Sequence, residues 1–243
     1  MLRAVLFDLD GTLLPLDTRS FLKKYTAALS KKISAVMEPD EFLDHLFYAT
    51  EKMIEDLNSR MTNEEVFWMH MSQRVPDKIE TLLPLVNEFY EKDFKLLGRD
   101  IPADTKASEL VRKVKRKGFK IVLATNPVFP EKAVLERMRW AFLNPEDFDL
   151  ITTYENMHFC KPHLEYYKEV LDKINEVPEN CLMVGNDVEE DMVVKKMGMK
   201  TFLVEDFVIS RKNGSISWDY QGTLEDLEKL LLSCQHLQGK DHR

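Results

Sequence analysis

Cysteine is scarce in this chain: three of 243 residues, Cys160, Cys181 and Cys234. So odd and scattered a set builds neither a disulfide framework nor a Cys-x-x-Cys metal knuckle, and a reducing cytoplasm is the expected setting. Glycine and proline are also few, 8 and 10, which excludes collagen-like and low-complexity chains. No apolar run approaches the ~18 residues that cross a bilayer. The run Ala4-Val5-Leu6-Phe7 after Arg3 is broken by Asp8 and Asp10, too early for the apolar core of a signal peptide. Basic residues are outnumbered, 34 against 42 acidic ones, for a formal charge of −8. A binder of nucleic-acid backbones needs a basic face. The cluster Lys113, Lys115, Arg116 and Lys117 falls instead in the last turns of a helix, where it complements the helix dipole. Neither a membrane nor a nucleic acid is expected as a partner.

What is present, 44% apolar and 31% charged residues, is the composition of an ordinary soluble protein. The length suits one large domain or two smaller ones. Residues 4–7 are wholly apolar and rich in β-formers, as in a strand buried on both faces. From Thr18 to about Leu97 the apolar residues recur with a helical period: Phe21, Tyr25, Leu29 and Ile33, then Phe42, Leu46, Ala49 and Met53. Further helices are expected near Phe67–Val75 and Leu82–Leu97, with no strand among them, and Leu97–Pro102 breaks the pattern. Strand-like and helix-like segments then alternate. Helices are expected at 106–117 (ending at Gly118), 131–141, 163–176 and 188–197 (ending at Gly198), and strands at 119–125, 149–153, 180–185 and 200–204. A last helix opens at Thr223 with a Thr-x-x-Asp226 capping signal. Such alternation predicts a doubly wound, Rossmann-like α/β fold with a parallel sheet. The first strand belongs to that sheet. The expected organisation is therefore a core domain of residues 1–15 and 101–243, interrupted by an α-helical domain of residues 16–100.

Open parallel sheets bind ligands at the carboxyl ends of their strands. There the sequence collects Asp8-Leu9-Asp10-Gly11-Thr12, Thr125-Asn126, and Gly185-Asn186-Asp187 with Glu190 and Asp191; Lys161-Pro162 precedes the helix at 163–176. A calcium loop begun at Asp8 would need Gly at its sixth position and Glu at its twelfth, where Leu13 and Arg19 stand. The ordered set resembles the haloacid dehalogenase-like (HAD) hydrolase superfamily, mostly phosphatases and phosphoryl-transfer enzymes. Asp8 to Thr12 match its DxDGT motif, Thr125 its strand-ending Ser or Thr, Lys161 its lysine, and Gly185 to Asp191 its acidic fourth motif. The helical insert resembles the cap that many members carry after the first motif. One position departs: the family commonly has Asp directly after the Gly of the fourth motif, and here Asn186 stands there with Asp187 following.

The resemblance implies Asp8 as nucleophile and metal ligand, and Asp10 as general acid and base whose main-chain carbonyl also binds the metal. Asp187 is the expected third ligand, with Asn186 the alternative, because Mg²⁺ prefers carboxylate oxygens. Thr125, Asn126 and Lys161 are expected to hold phosphate, and Asp191 to support the site. These residue types suit the chemistry. A carboxylate that attacks phosphorus splits hydrolysis into two easier steps, a second carboxyl gives and then takes a proton, and Mg²⁺ offsets the crowding of like charges. The family's dehalogenases and transport ATPases lack an Asp at the place of Asp10, so phosphomonoester hydrolysis is favoured. A phosphomutase or phosphotransferase would use the same residues, and a non-catalytic binding protein could keep the fold.

The expectation is a Mg²⁺-dependent phosphatase acting on a small phosphorylated metabolite, with the insert as a lid hinged at Leu14-Pro15-Leu16 and Gly98–Pro102. His70 reads as a packed or exposed cap residue and His163 as a helix-start residue facing solvent. Cys160, beside Lys161, is a candidate for a depressed thiol pKa. Neither the individual substrate nor the oligomeric state is legible.

Overall fold

The apolar run Ala4–Phe7 forms strand β1, buried along its whole length and paired with a strand on each side. The computed structural model describes residues 1–211 and 216–233, so Cys234 lies outside the described residues. Strands β2 (Lys120–Leu123), β3 (Leu150–Ile151), β4 (Cys181–Gly185), β5 (Lys200–Val204) and β6 (Tyr220–Gly222) complete a parallel sheet in the order β3-β2-β1-β4-β5-β6. The chain fills one half of the sheet and then the other, so its direction of travel reverses between β1 and β4. That reversal opens a crevice at the strand ends. Phe7 lies level with Leu123 of β2 and Val184 of β4, and the loops that leave these three strands therefore start side by side.

Alternate residues serve two cores. Val5, Phe7, Ile121, Leu123, Leu182 and Val184 pack with helices α5 (Lys106–Arg116), α6 (Glu131–Trp140) and α8 (Leu224–Ser233). Ala4, Leu6, Val122 and Met183 pack with α7 (Leu164–Ile174) on the opposite face. Helices on both faces explain why these strands read as solid apolar runs rather than alternating ones. Strand β6 was not expected: its first two residues are exposed at the sheet edge, so no apolar run announces it. Residues 188–197 are not an α-helix. They form turns and a 3-10 stretch at Met192–Met197, closed by Gly198 at φ +87°. Tyr167 Oη donates to the Glu190 carbonyl at 2.6 Å, occupying the acceptor that an α-helix would offer to the N–H of Val194.

The insert contains α1 (Thr18–Ile33), α2 (Pro39–Glu55), α3 (Asn63–Arg74) and α4 (Ile79–Glu88). α3 begins earlier than its apolar pattern suggests, because Thr62 and Glu65 close a capping box. The single helix expected over Leu82–Leu97 is instead α4, a π-helical turn at Phe89–Asp93 and a 3-10 turn at Phe94–Gly98. On an α-helix, residues five apart diverge; the wider turn, with the Phe94 N–H donating to the Phe89 carbonyl, lets both rings reach the core. Both are fully buried. Phe21, Tyr25 and Phe94 then meet Phe129 and Trp140 of the sheet domain at centroid distances of 5.1–6.4 Å. Gly98 lies against the Trp140 indole, which a Cβ would overlap. The apolar core is continuous across this seam. Among the described residues no helix is long and apolar enough to cross a membrane.

Candidate active site

Asp8 follows β1 and is tied to β4 by its N–H, which donates to the Val184 carbonyl at 2.9 Å. The chain then turns at Gly11, φ +80°. A Cβ there would overlap Asn186 Nδ2, so glycine permits both the left-handed turn and the close approach of the loop after β4. Thr12 links the two loops: its Oγ1 lies 3.4 Å from Asp8 Oδ2 and 3.2 Å from Asn186 Oδ1. Gly185 has a similar task, since a Cβ would overlap the Asp191 carboxylate, which folds back to accept the Asp187 N–H at 3.0 Å.

Lys161, 1% exposed, donates from Nζ to Asp8 Oδ1 at 3.0 Å and to Asp191 Oδ1 at 2.6 Å. Burial presses an ammonium toward its neutral form, but Asp191 and Asp8 outweigh that and hold Lys161 protonated well above the usual lysine range. Burial also pushes the Asp191 carboxyl upward, against the pull of Lys161. Asn126 ties the lysine loop to the fourth motif: Oδ1 accepts the Lys161 N–H at 3.2 Å and Nδ2 donates to Glu190 Oε2 at 3.2 Å. Thr125 is buried beside it, its carbonyl held by Thr152 Oγ1 at 2.7 Å and Tyr166 Oη at 3.0 Å. Asp8, Asp10, Thr125, Asn126, Asn186, Asp187 and Asp191 all line one cavity of about 200 Å³.

Asp10 belongs to a second cluster. It forms an ion pair with Arg137 of α6, whose side chain is 1% exposed. Burial pushes the Asp10 carboxyl above its ordinary value, Arg137 holds it back, and the charge of Asp8 adds to the rise. Its Oδ1 is buried without a hydrogen-bond partner. Arg137 also sits over the Phe129 ring, 4.5 Å from the centroid.

Asp187 is gripped by Arg211, Nη1 to Oδ1 at 2.8 Å and Nη2 to Oδ2 at 2.7 Å, and its Oδ1 accepts the N–H groups of Glu189 and Glu190. Asn186 donates from Nδ2 to the Phe207 carbonyl at 2.6 Å, and its Oδ1 faces the Thr12 hydroxyl. Among the described residues no three His, Cys, Asp or Glu side chains gather closely enough to form a metal cluster of their own. The oxygens of Asp8 and Asn186, which share the Thr12 hydroxyl, are donors of the hard type that Mg²⁺ takes.

A family model described as haloacid dehalogenase-like hydrolase matches residues 2–194. The chain belongs to that family. This HAD-like hydrolase is 27% identical over 209 residues to a phosphorylated carbohydrates phosphatase of Thermotoga maritima, covering 82% of this chain and 83% of that one. It is 27% identical over 208 residues to a glyceraldehyde 3-phosphate phosphatase of Methanothermobacter thermautotrophicus, covering 84% and 86%. Its fold is similar to the crystal structure of a HAD phosphatase from Thermococcus onnurineus, with a TM-score of 0.56 at 20% identity over 95% of this chain and 98% of that one.

Sequence reasoning missed two arginines of the HAD-like site. Arg137 carried a signal: it occupies a core position on α6 among Ala133, Val134 and Met138, where a charge needs a buried partner. Arg211 carried none, standing on an irregular segment far from any motif. The two histidines lie off the cavity, His70 edge-on to Tyr48 at 6.0 Å and His163 at the start of α7. The expectation for Cys160 is corrected: the thiol is fully buried, and burial pushes its pKa up rather than down.

Proposed function

We propose that this HAD-like hydrolase is a Mg²⁺-dependent phosphatase that cleaves a small-molecule phosphomonoester through an aspartyl-phosphate. The observation that carries the reading is one cavity lined by Asp8 and Asp10, where Asp10 keeps an oxygen free of hydrogen bonds and Lys161, buried behind the wall rather than facing phosphate as the resemblance implies, fixes the Asp8 carboxylate. An oxygen of that carboxylate attacks phosphorus. As that P–O bond forms, the ester P–O bond breaks, and protonated Asp10 passes its proton to the leaving oxygen. Water then attacks the phosphorus, the bond to Asp8 breaks, and the water's proton returns to Asp10 as phosphate leaves. The Thr125 hydroxyl and Asn126 bind phosphoryl oxygens, and Asp191 keeps Lys161 in place.

Mg²⁺, when bound, neutralises charge on the phosphate and the carboxylates. Asp8, the Asp10 main-chain carbonyl and either Asn186 or Asp187 would hold it. The hydroxyl shared by Asp8 and Asn186, and the commitment of Asp187 to Arg211, support Asn186 over the carboxylate favoured by sequence chemistry alone. Residues 16–100 act as the cap on a core of residues 1–15 and 101–243. The free, buried thiols of Cys160 and Cys181 are in keeping with a reducing cytoplasm.

Released phosphate, measured over a phosphomonoester panel with Mg²⁺ and with EDTA, tests the proposal. Turnover that EDTA abolishes is expected. No turnover, together with no rise in Tm on adding Mg²⁺ and beryllofluoride, would make the chain a non-catalytic HAD-like protein.

A further inference from the structure

We infer that the substrate's leaving group is apolar, an alcohol whose alkyl or aryl portion enters a cavity among the insert helices; this rests on the phosphatase reading above. A cavity of about 100 Å³ lies between α1, α2, α3 and the segment 128–130, walled by Leu29, Phe42, Leu46, Phe67 and Met71. Leu22, Val128 and Phe129 line both this cavity and the one at Asp8, so the two spaces adjoin across three apolar side chains. A phosphate held at Asp8 thus has an apolar surface beside it, on the side of the insert.

The polar groups in the wall are already engaged. Thr26 Oγ1 donates to the Leu22 carbonyl and Thr50 Oγ1 to the Leu46 carbonyl, both at 2.8 Å, and the Tyr25 and Tyr90 hydroxyls pair at 2.7 Å. Among the described residues no charged side chain lines this space. A polyhydroxylated group placed there would leave hydroxyls desolvated and poorly paired, whereas an apolar group would match the lining. Leu22 and Phe47, 42% and 57% exposed, add large apolar surface where the cavity meets solvent, the kind of exposure that marks a binding site.

Titration calorimetry with methylphosphonate and hexylphosphonate, run on the full chain with Mg²⁺, tests this, because the P–C bond resists hydrolysis and the alkyl chain is the only difference. Hexylphosphonate is expected to bind roughly tenfold or more tightly. Thr50→Trp, which fills the cavity, should bring the ratio close to one; Thr26→Phe is the second variant if the first does not fold. Equal affinities, an unchanged ratio in a folded filled variant, or a higher kcat/KM for glucose 6-phosphate than for hexyl phosphate would each overturn the inference while leaving phosphatase activity intact. A hexyl preference without any phosphate release from hexyl phosphate would keep the apolar site and overturn the phosphatase reading instead.

Discussion

At the carboxyl ends of the central strands, charges are brought together and held by opposite charges: Lys161 between Asp8 and Asp191, Arg137 on Asp10, Arg211 on Asp187. In the insert, a smaller cavity is walled by aromatic and aliphatic side chains, and its hydroxyls are turned back on the protein. The first region is costly to build, because each buried charge depends on its partner. The second is held by burial alone. A substitution at the strand ends should therefore act on chemistry, or on stability through a stranded charge. In the insert it should act on stability through a void.

Asp8→Asn should draw this contrast most sharply. Released phosphate is expected to fall on the order of a thousandfold or more, with the thermal melting curve little changed; full activity in this variant would remove Asp8 as nucleophile. Lys161→Met comes next, since it strands two carboxylates in a site where the lysine is 1% exposed. Urea unfolding should show a loss of about 3–5 kcal/mol, and a loss below 1 kcal/mol would mean that the carboxylates find another partner.

Ile33→Ala, in the fully buried part of α1, should cost about 2–4 kcal/mol by the same assay. Specific activity of the folded fraction should be unaltered, and a large change would break the division between the two regions. Gly11→Ala should cost about 1–2 kcal/mol from its left-handed φ. It should also lower activity, since the added Cβ pushes Asn186 away from the Thr12 hydroxyl that it shares with Asp8.

The smallest effect lies outside both regions, at the start of α8. There Lys229 and Thr223 hold the Asp226 carboxyl down at about 2. Its stabilising contribution is present above the ordinary carboxylate pKa and is lost as the pH falls through about 2. Asp226→Ala should therefore melt slightly below the parent at neutral pH and at the same temperature below about pH 2.

Strands β1 and β5 were legible to the residue, because β1 is a solid apolar run before an acidic turn and β5 runs into Phe202, Leu203 and Val204 directly after Gly198 and Met199. Helix faces in α1 and α2 followed equally from their three- and four-residue spacing. The π-helical turn at Phe89 and the missing helix after Asp187 were not legible. Each is decided by partners distant in sequence, the aromatic seam with Phe129 and Trp140 in one case and Tyr167 in the other. Within the site, the motif residues could be read as a set, while the arginines that neutralise Asp10 and Asp187 could not.

The sequence by itself determined the α/β class, the strand ends that carry the acidic residues, and the membership that those motifs announce, because these depend on local periodicity and on residue type. Only the tertiary structure decided which cation faces which carboxylate, how Thr12 joins Asp8 to Asn186, and where the insert leaves an apolar cavity beside the charged one. Electrostatic pairing and packing act through space over a few ångströms, and residues as far apart as Asp10 and Arg137 become neighbours only when the sheet is assembled.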